Sequence, residues 1–328
     1  MRRTNLSSLV SAGSWSALIV LVASNTANAQ PHAQRLSPPL SSLTVYHYFP
    51  HKPMPKWENG FVLAFEMDSP EVFAWNREGQ LATRATIRIA DSLVVRVWAI
   101  AAMESGVLAV AGSAATADRG ATFIAWLDAS GVINRVVRTT PFAARNLSFA
   151  KDGTLWAFGR VVDRNSRTEP PHDVLRQYDS EGRLLRSLLP RQSFVDRQHP
   201  SSLSFMTSSG GRVGIYSLIA NEWIEVSLLG EILGRWKGVN LASGSKLGGA
   251  AILPSGDVYA SELQNTGTGP PGRTAFFRLD KETGAWRIVA ADDLLLEDGR
   301  GAIMILGVDQ EKLVVVKSFP DFLWVRPQ

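Results

Sequence analysis

A tight turn followed by an apolar strand recurs about every 50 residues along this chain, and no other feature limits the fold as much. The copies are Glu58-Asn59-Gly60 before FVLAF, Glu104-Ser105-Gly106 before VLAVAG, Lys151-Asp152-Gly153 before TLWAFG, Ser209-Gly210-Gly211 before RVGIYS, Pro254-Ser255-Gly256 before DVYAS, and Asp309-Gln310-Glu311 before KLVVVK. Between them runs a second unit of strand, turn and strand: VFAWNREGQLATRAT, IAWLDASGVINRVV, LRQYDSEGRLLRSL, IEVSLLGEILGRW and FFRLDKETGAWRIV. Asn, Asp and Gly supply the positive-φ positions that hairpins need. The flanking runs are rich in the β-branched and aromatic residues of strands. The turns come too often for any long amphipathic helix.

A period of about 50 residues is that of one four-stranded propeller blade. The predicted fold is therefore all-β: a six-bladed β-propeller of four-stranded antiparallel blades. Name the strands A to D from the central channel outward. Strand B, as in Leu155-Trp156-Ala157-Phe158, is continuously apolar and should be buried on both faces between neighbouring blades. Strand D, as in RLLRSLLP, alternates as an outer strand should. Five complete units fit, and residues 303–325 offer only three strands of a sixth, IMILGV, KLVVVKS and DFLWV. The segment LTVYHYF at 43–49 has no blade of its own. It is predicted to pair with the last blade, closing the ring and covering an open sheet edge. Trp75, Trp98, Trp126, Trp156 and Trp286 lie inside strands, where packing between blades accounts for them.

Residues 1–29 have the three parts of a secretory signal peptide. Arg2 and Arg3 open it, WSALIVLVA at 15–23 is its apolar stretch, and Ala27-Asn28-Ala29 is an A-x-A cleavage site that puts the mature start at Gln30. The apolar stretch is shorter than the roughly 20 residues of a bilayer span, so an uncleaved anchor is the lesser alternative and no membrane span is expected after cleavage. Residues 30–42, with Pro31, Pro38 and Pro39, read as a flexible lead-in to a single propeller domain over 43–328. The expected location is the periplasm or outside the cell.

The chain has no Cys, which excludes disulfides, thiolate metal sites, Cys nucleophiles and a lipidated Cys anchor. Its formal charge is +4, falling by two when Arg2 and Arg3 leave with the signal. The basic residues are scattered, not clustered as nucleic-acid binding requires.

The segment Tyr178-Asp179-Ser180-Glu181-Gly182-Arg183-Leu184-Leu185-Arg186-Ser187 resembles the strand-turn-strand signature of NHL-repeat and related six-bladed propellers, and Lys151-Asp152-Gly153-Thr154-Leu155-Trp156 resembles their preceding turn. The Asn-His-Leu element and the Val-Ala-Asp strand end typical of those repeats are missing. The resemblance implies the fold and a general role in binding proteins, carbohydrates or small molecules, and it transfers no catalytic residue.

In a meandering blade the A–B and C–D turns lie on one face, and the B–C loops and D–A crossings on the other. The A–B and C–D turns are short here. The long connections are the B–C loops at 113–121, 160–173 and 263–274 and the crossings at 191–201 and 292–300. Long loops on a rigid scaffold are where binding resides, so the B–C/D–A face is the predicted functional face. Strand B ends in equivalent positions at Glu66, Gly112, Gly159, Ser217, Glu262 and Lys317, with Arg160 just beyond and Arg145 and Asn146 opening an inner strand on the same face. These polar groups either grip a ligand or are solvated strand ends that pair with one another. The loop at 160–173 is dense in Arg and carboxylate: it clamps an anionic group or is simply a charged insertion. His172 and His199 fall on this face as acid–base candidates or as ordinary solvated histidines. No His pair has metal-ligand spacing, and no G-x-S-x-G elbow is present. Two functions from different classes follow. One is an exported binding or interaction propeller acting without a cofactor. The alternative is a Ca²⁺-dependent hydrolase or lactonase, with Glu66, Asn146 and Glu262 holding the ion in the channel.

Overall fold

In the computed structural model, the described residues are 34–35, 55–65, 69–162, 170–194, 199–201, 204–241, 245–263, 275–289, 304–316 and 322–325. The repeated turns form the hairpins their residues favour. Gly153 sits at φ +81°, a conformation open to glycine, and its N–H donates to Ala150 O at 3.0 Å. Ala150 N–H in turn donates to Thr154 O at 2.8 Å, which closes the turn and starts the next strand.

A two-residue strand, β1 (Gln34–Arg35), precedes five sheets of four consecutive antiparallel strands. The first holds β2 (Lys56–Glu58), β3 (Phe61–Phe65), β4 (Glu71–Trp75) and β5 (Leu81–Thr86). The second holds β6 (Val94–Ala102), β7 (Leu108–Ala115), β8 (Gly120–Leu127) and β9 (Ile133–Arg138). The third holds β10 (Phe142–Phe149), β11 (Leu155–Val161), β12 (Asp173–Tyr178) and β13 (Leu184–Pro190). The fourth holds β14 (Ser204–Ser209), β15 (Arg212–Ser217), β16 (Glu222–Ser227) and β17 (Ile232–Lys237). The fifth holds β18 (Lys246–Ile252), β19 (Val258–Leu263), β20 (Ala275–Asp280) and β21 (Ala285–Val289). A partial sixth contains β22 (Met304–Asp309), β23 (Lys312–Val316) and β24 (Phe322–Val325), with β1 beside β24 in the register Gln34↔Trp324 and Arg35↔Leu323. The chain is thus an all-β propeller of four-stranded antiparallel blades. No helix among the described residues is long and apolar enough to cross a membrane.

The cores lie between blades, as the apolar second strands required. Leu155, Trp156, Ala157 and Phe158 of β11 are fully buried. Trp156 and Phe158 pack with Val213 and Ile215 of blade four, while Leu155 and Ala157 pack with Ala109 and Ala111 of blade two. The outer strands are the exposed ones, and Leu184, Leu185, Ile232 and Leu233 face solvent there. Among the sequence-predicted loops, 113–121 is corrected: β7 and β8 pair through to Ala115↔Gly120, leaving only a four-residue turn. Thr116 closes it, its N–H donating to Arg119 O at 2.8 Å while its Oγ1 accepts from Arg119 N–H at 3.1 Å. Small residues without β-branching hid that strand extension. The predicted closing strand at 43–49 lies outside the described residues. The strand that pairs with β24 falls earlier, within the expected lead-in.

The inner strands stand side by side, β6 by β10, β10 by β14, β14 by β18, β18 by β22 and β22 by β2. Glu58, at the end of β2 and buried, crosses between them. Its Oε1 accepts from Ser148 Oγ at 2.6 Å and Phe149 N–H at 2.9 Å, and its Oε2 from Ala102 N–H at 3.1 Å and Lys56 Nζ at 3.1 Å. Lys56 Nζ also donates to Leu147 O at 2.5 Å. One carboxylate therefore joins the innermost strands of three blades. The space beside it, lined by Lys56, Glu58, Ser148, Thr207 and Val308, is about 20 Å³, room for about one water and no ligand. The channel is narrow at this A–B/C–D end.

Removing the Glu58 carboxylate would leave a hydroxyl and two backbone N–H groups buried without their acceptor, and the Lys56 ammonium without its counter-charge. Glu58→Ala is expected to lower unfolding free energy by about 3–5 kcal/mol in urea titration, the range for breaking a buried ion pair from one side. A loss below about 1 kcal/mol would mean that the hub does not hold the blades.

Candidate functional site

At the opposite end of the channel the inner strands carry β-bulges. A bulge inserts one residue and re-aims its side chain. The extra residue is Trp98 in β6, Arg145 in β10, Gly248 in β18 and Leu306 in β22. The carbonyls displaced by the first two bulges need glycine opposite them. A Cβ on Gly112 would stand 2.1 Å from Arg96 O, and one on Gly159 2.3 Å from Ala143 O. Two of the predicted ring of polar strand-B ends are therefore glycines for steric reasons. The bulges bring Arg145 over the Trp98 ring, with the guanidinium carbon 4.1 Å from its centroid, a cation–π contact between adjacent blades. Trp98 thus belongs to this face rather than to the packing between sheets.

Beside Arg145 the B–C loop and the D–A crossing of blade three bring two histidines together. His172 Nε2 lies 3.2 Å from His199 Nε2, with the rings nearly parallel at 9°. The surrounding bonds fix the tautomers. His172 Nδ1 faces Pro170 O at 2.8 Å and must donate to it, so His172 Nε2 carries a lone pair and accepts from Val161 N–H at 3.3 Å. His199 Nε2–H then donates to His172 Nε2. His199 Nδ1 is left to accept from Ser201 Oγ at 2.9 Å and Ser201 N–H at 3.2 Å. Ser201 and His199 are buried, at 1% and 6% exposure. The chain Ser201–His199–His172–Pro170 is complete only when both rings are neutral.

The surroundings of His199 favour its neutral form. Burial first, and then His172 and the guanidiniums of Arg191, Arg160 and Arg145, hold the His199 imidazole far below the ordinary value, at about 3. Arg191 is anchored by its own turn, Nη1 donating to Phe194 O at 3.1 Å and its N–H to His172 O at 2.8 Å. Arg160 ends β11, and its Nε is buried with no hydrogen-bond acceptor among the described residues.

The structure therefore gathers four of the sequence-predicted residues, Arg145, Arg160, His172 and His199, at one mouth. Asn146 is next to them but spends its amide on Ser204 Oγ of blade four at 2.7 Å, joining the blades. Glu262 lies in blade five, buried in β19 opposite Leu247. Glu66 and Lys317 lie outside the described residues. Trp98, Arg191 and Ser201 were missed. The first two could have been found by aligning the repeats at strand A and at the crossing, whereas Ser201 gives no sequence signal. Among the described residues, no group of three or more His, Asp or Glu is placed to hold a metal ion. The same face has a groove of about 490 Å³ farther out between blades three and four, lined by Ser193, Phe194, Asn221, Glu222, Arg235 and Lys237. Its Arg235 is saturated, with Nε and Nη2 on Glu222 at 2.8 and 2.6 Å and Nη1 on Ser193 Oγ at 3.0 Å.

No family model and no curated protein matches the chain. Solved structures do. A catalytically inactive virginiamycin B lyase from Staphylococcus aureus, solved with quinupristin, is 12% identical, with 84% of this chain and 80% of that chain covered and a TM-score of 0.45. A putative exported protein from Bacteroides fragilis is 12% identical, with 85% and 91% covered and a TM-score of 0.49. A protein of unknown function from Bacteroides caccae is 16% identical, with 69% and 76% covered and a TM-score of 0.39. Likeness at this level says nothing of chemistry, and the assignment as a propeller rests on the chain's own ladders.

The depressed His199 value fixes the sign of a pH effect. The unfolded chain binds a proton at this residue near pH 6.5, and the folded chain only near pH 3. The unfolded state therefore gains on acidification through that window, and the contribution of neutral His199 is full above pH 6.5. Urea midpoints should fall less between pH 7 and pH 4.5 in His199→Gln than in the parent. Equal falls would show that His199 titrates normally in the fold.

Proposed function

We propose that this protein is an exported ligand-binding propeller whose B–C/D–A channel mouth takes a small anionic ligand. The observation that carries the reading is the convergence of Arg145, Arg160 and Arg191 on the His172–His199 pair, whose His199 ring is held neutral. Burial and His172 depress His199 most, and the guanidiniums of Arg191, Arg160 and Arg145 add to it; planar guanidinium forks match carboxylates, sulfates and phosphates. Export follows from the signal-peptide pattern of residues 1–29, with the mature chain starting at Gln30 in the periplasm or outside the cell. The ring is proposed to have six blades in the manner of NHL-like propellers. Support comes from the β1–β24 pairing, the Arg77–Asp309 ion pair between blades one and six, and the approach of Gly307 to Trp57 O.

The test is a thermal melt against sulfate, oxalate and citrate, with glucose as the neutral control. A ligand that binds the folded state raises the midpoint by mass action. At least one anion should raise it while glucose does not, the rise should vanish in Arg160→Ala, and it should persist in Arg235→Ala at the outer groove. An anion response lost in Arg235→Ala and kept in Arg160→Ala would move the site to the groove, and no response to any anion would refute the reading.

A further inference from the structure

The hydrogen-bond chain at the mouth has a second consequence, which rests on the anionic-ligand reading. We infer that the mouth takes up a dianionic oxyanion together with one proton, and that the His172–His199 pair carries this proton. At 3.2 Å the two Nε2 atoms share a single hydrogen, donated by His199 to the lone pair of His172. His199 Nδ1 and His172 Nδ1 are already committed to Ser201 and Pro170. An added proton on either ring has no lone pair left to occupy without breaking one of these bonds. On His172 Nε2 it sets two N–H groups face to face, which parts the rings and turns both donors toward whatever sits between them. On His199 Nδ1 it displaces the Ser201 donors.

With the mouth empty the proton is unwelcome. Among the described residues, the groups that oppose a positive charge on His199 are His172 from the loop before β12, Arg191 from the turn after β13, Arg160 from β11 and Arg145 from β10. A dianion seated among the three guanidiniums reverses that field, so an imidazolium N–H becomes a charge-assisted donor to the anion. The overall step is balanced as a dianion plus one proton from solvent going to a complex that holds both, with no covalent bond made or broken. By linkage, whatever proton the anion draws in, acid must return as affinity.

Sulfate is the probe, because it stays a dianion through the working range and cannot itself supply the proton signal. Isothermal titration of sulfate into the full mature chain at pH 5.5, in buffers of different ionisation enthalpy, counts the protons taken up. About one proton per sulfate is expected, with affinity rising up to about tenfold for each unit of pH lowered between pH 7 and pH 5. His199→Gln and, separately, His172→Gln should still bind sulfate through the arginines, but with flat pH dependence and no proton uptake; either variant suffices if the other melts. Sulfate binding by the parent with no proton uptake overturns this inference and leaves the anionic mouth standing. Proton uptake that persists unchanged in both variants overturns it too. No sulfate binding at any pH overturns this inference, while the anionic reading falls only if oxalate and citrate fail as well.

Discussion

The Glu58 carboxylate is the interaction on which the arrangement of this propeller most depends. A blade is a sheet with two apolar faces, and apolar burial is non-directional. It drives blades together without setting how their inner strands meet. Glu58 supplies direction: four donors from blades one, two and three converge on two oxygens. An anion this deep is stable because an ammonium and backbone N–H groups replace its water shell. The same hub fills one end of the channel, so the polarity of the molecule, with one end narrow and the other receptive, follows from a single side chain.

The receptive end is built by the opposite device. There four of the inner strands gain a residue, and the bulges in β6 and β10 turn Trp98 and Arg145 out of the ladder and stack them. Glycine at 112 and 159 makes room for the displaced carbonyls. Blade three then adds the rest, with Arg160 at the end of its second strand, His172 before its third and Arg191 and His199 after its fourth. The two ends differ in their electrostatics as well. At Glu58 a negative charge is met by donors, whereas at the mouth Arg145, Arg160 and Arg191 stand around the His199 ring, which stays neutral.

Much of this was legible in the sequence because repeats report topology. Gly153 and its equivalents mark each turn. Leu155 to Phe158 mark a strand buried on both faces, and strand order alone chose the B–C/D–A face and placed Arg145, Arg160, His172 and His199 on it. What was not legible is how side chains meet across blades. A bulge leaves no periodic trace, so Trp98 looked like core packing. Residues 113–121 looked like a loop because Ser, Ala and Gly carry little strand signal. The sequence shows glycine at the strand-B ends 112 and 159 but not its cause, which is the approach of a neighbouring carbonyl. Ser201 acts only through its contact with His199, which no spacing rule predicts.

The central claim is that the positive mouth of blade three, and not the outer groove, is where an anion binds. Crystals soaked in selenate test it directly, because selenium is located by its anomalous scattering. The account predicts a peak enclosed by Arg145, Arg160 and Arg191 beside the His172–His199 pair. A peak confined to the groove at Arg235 and Lys237, with none at the mouth, would contradict it.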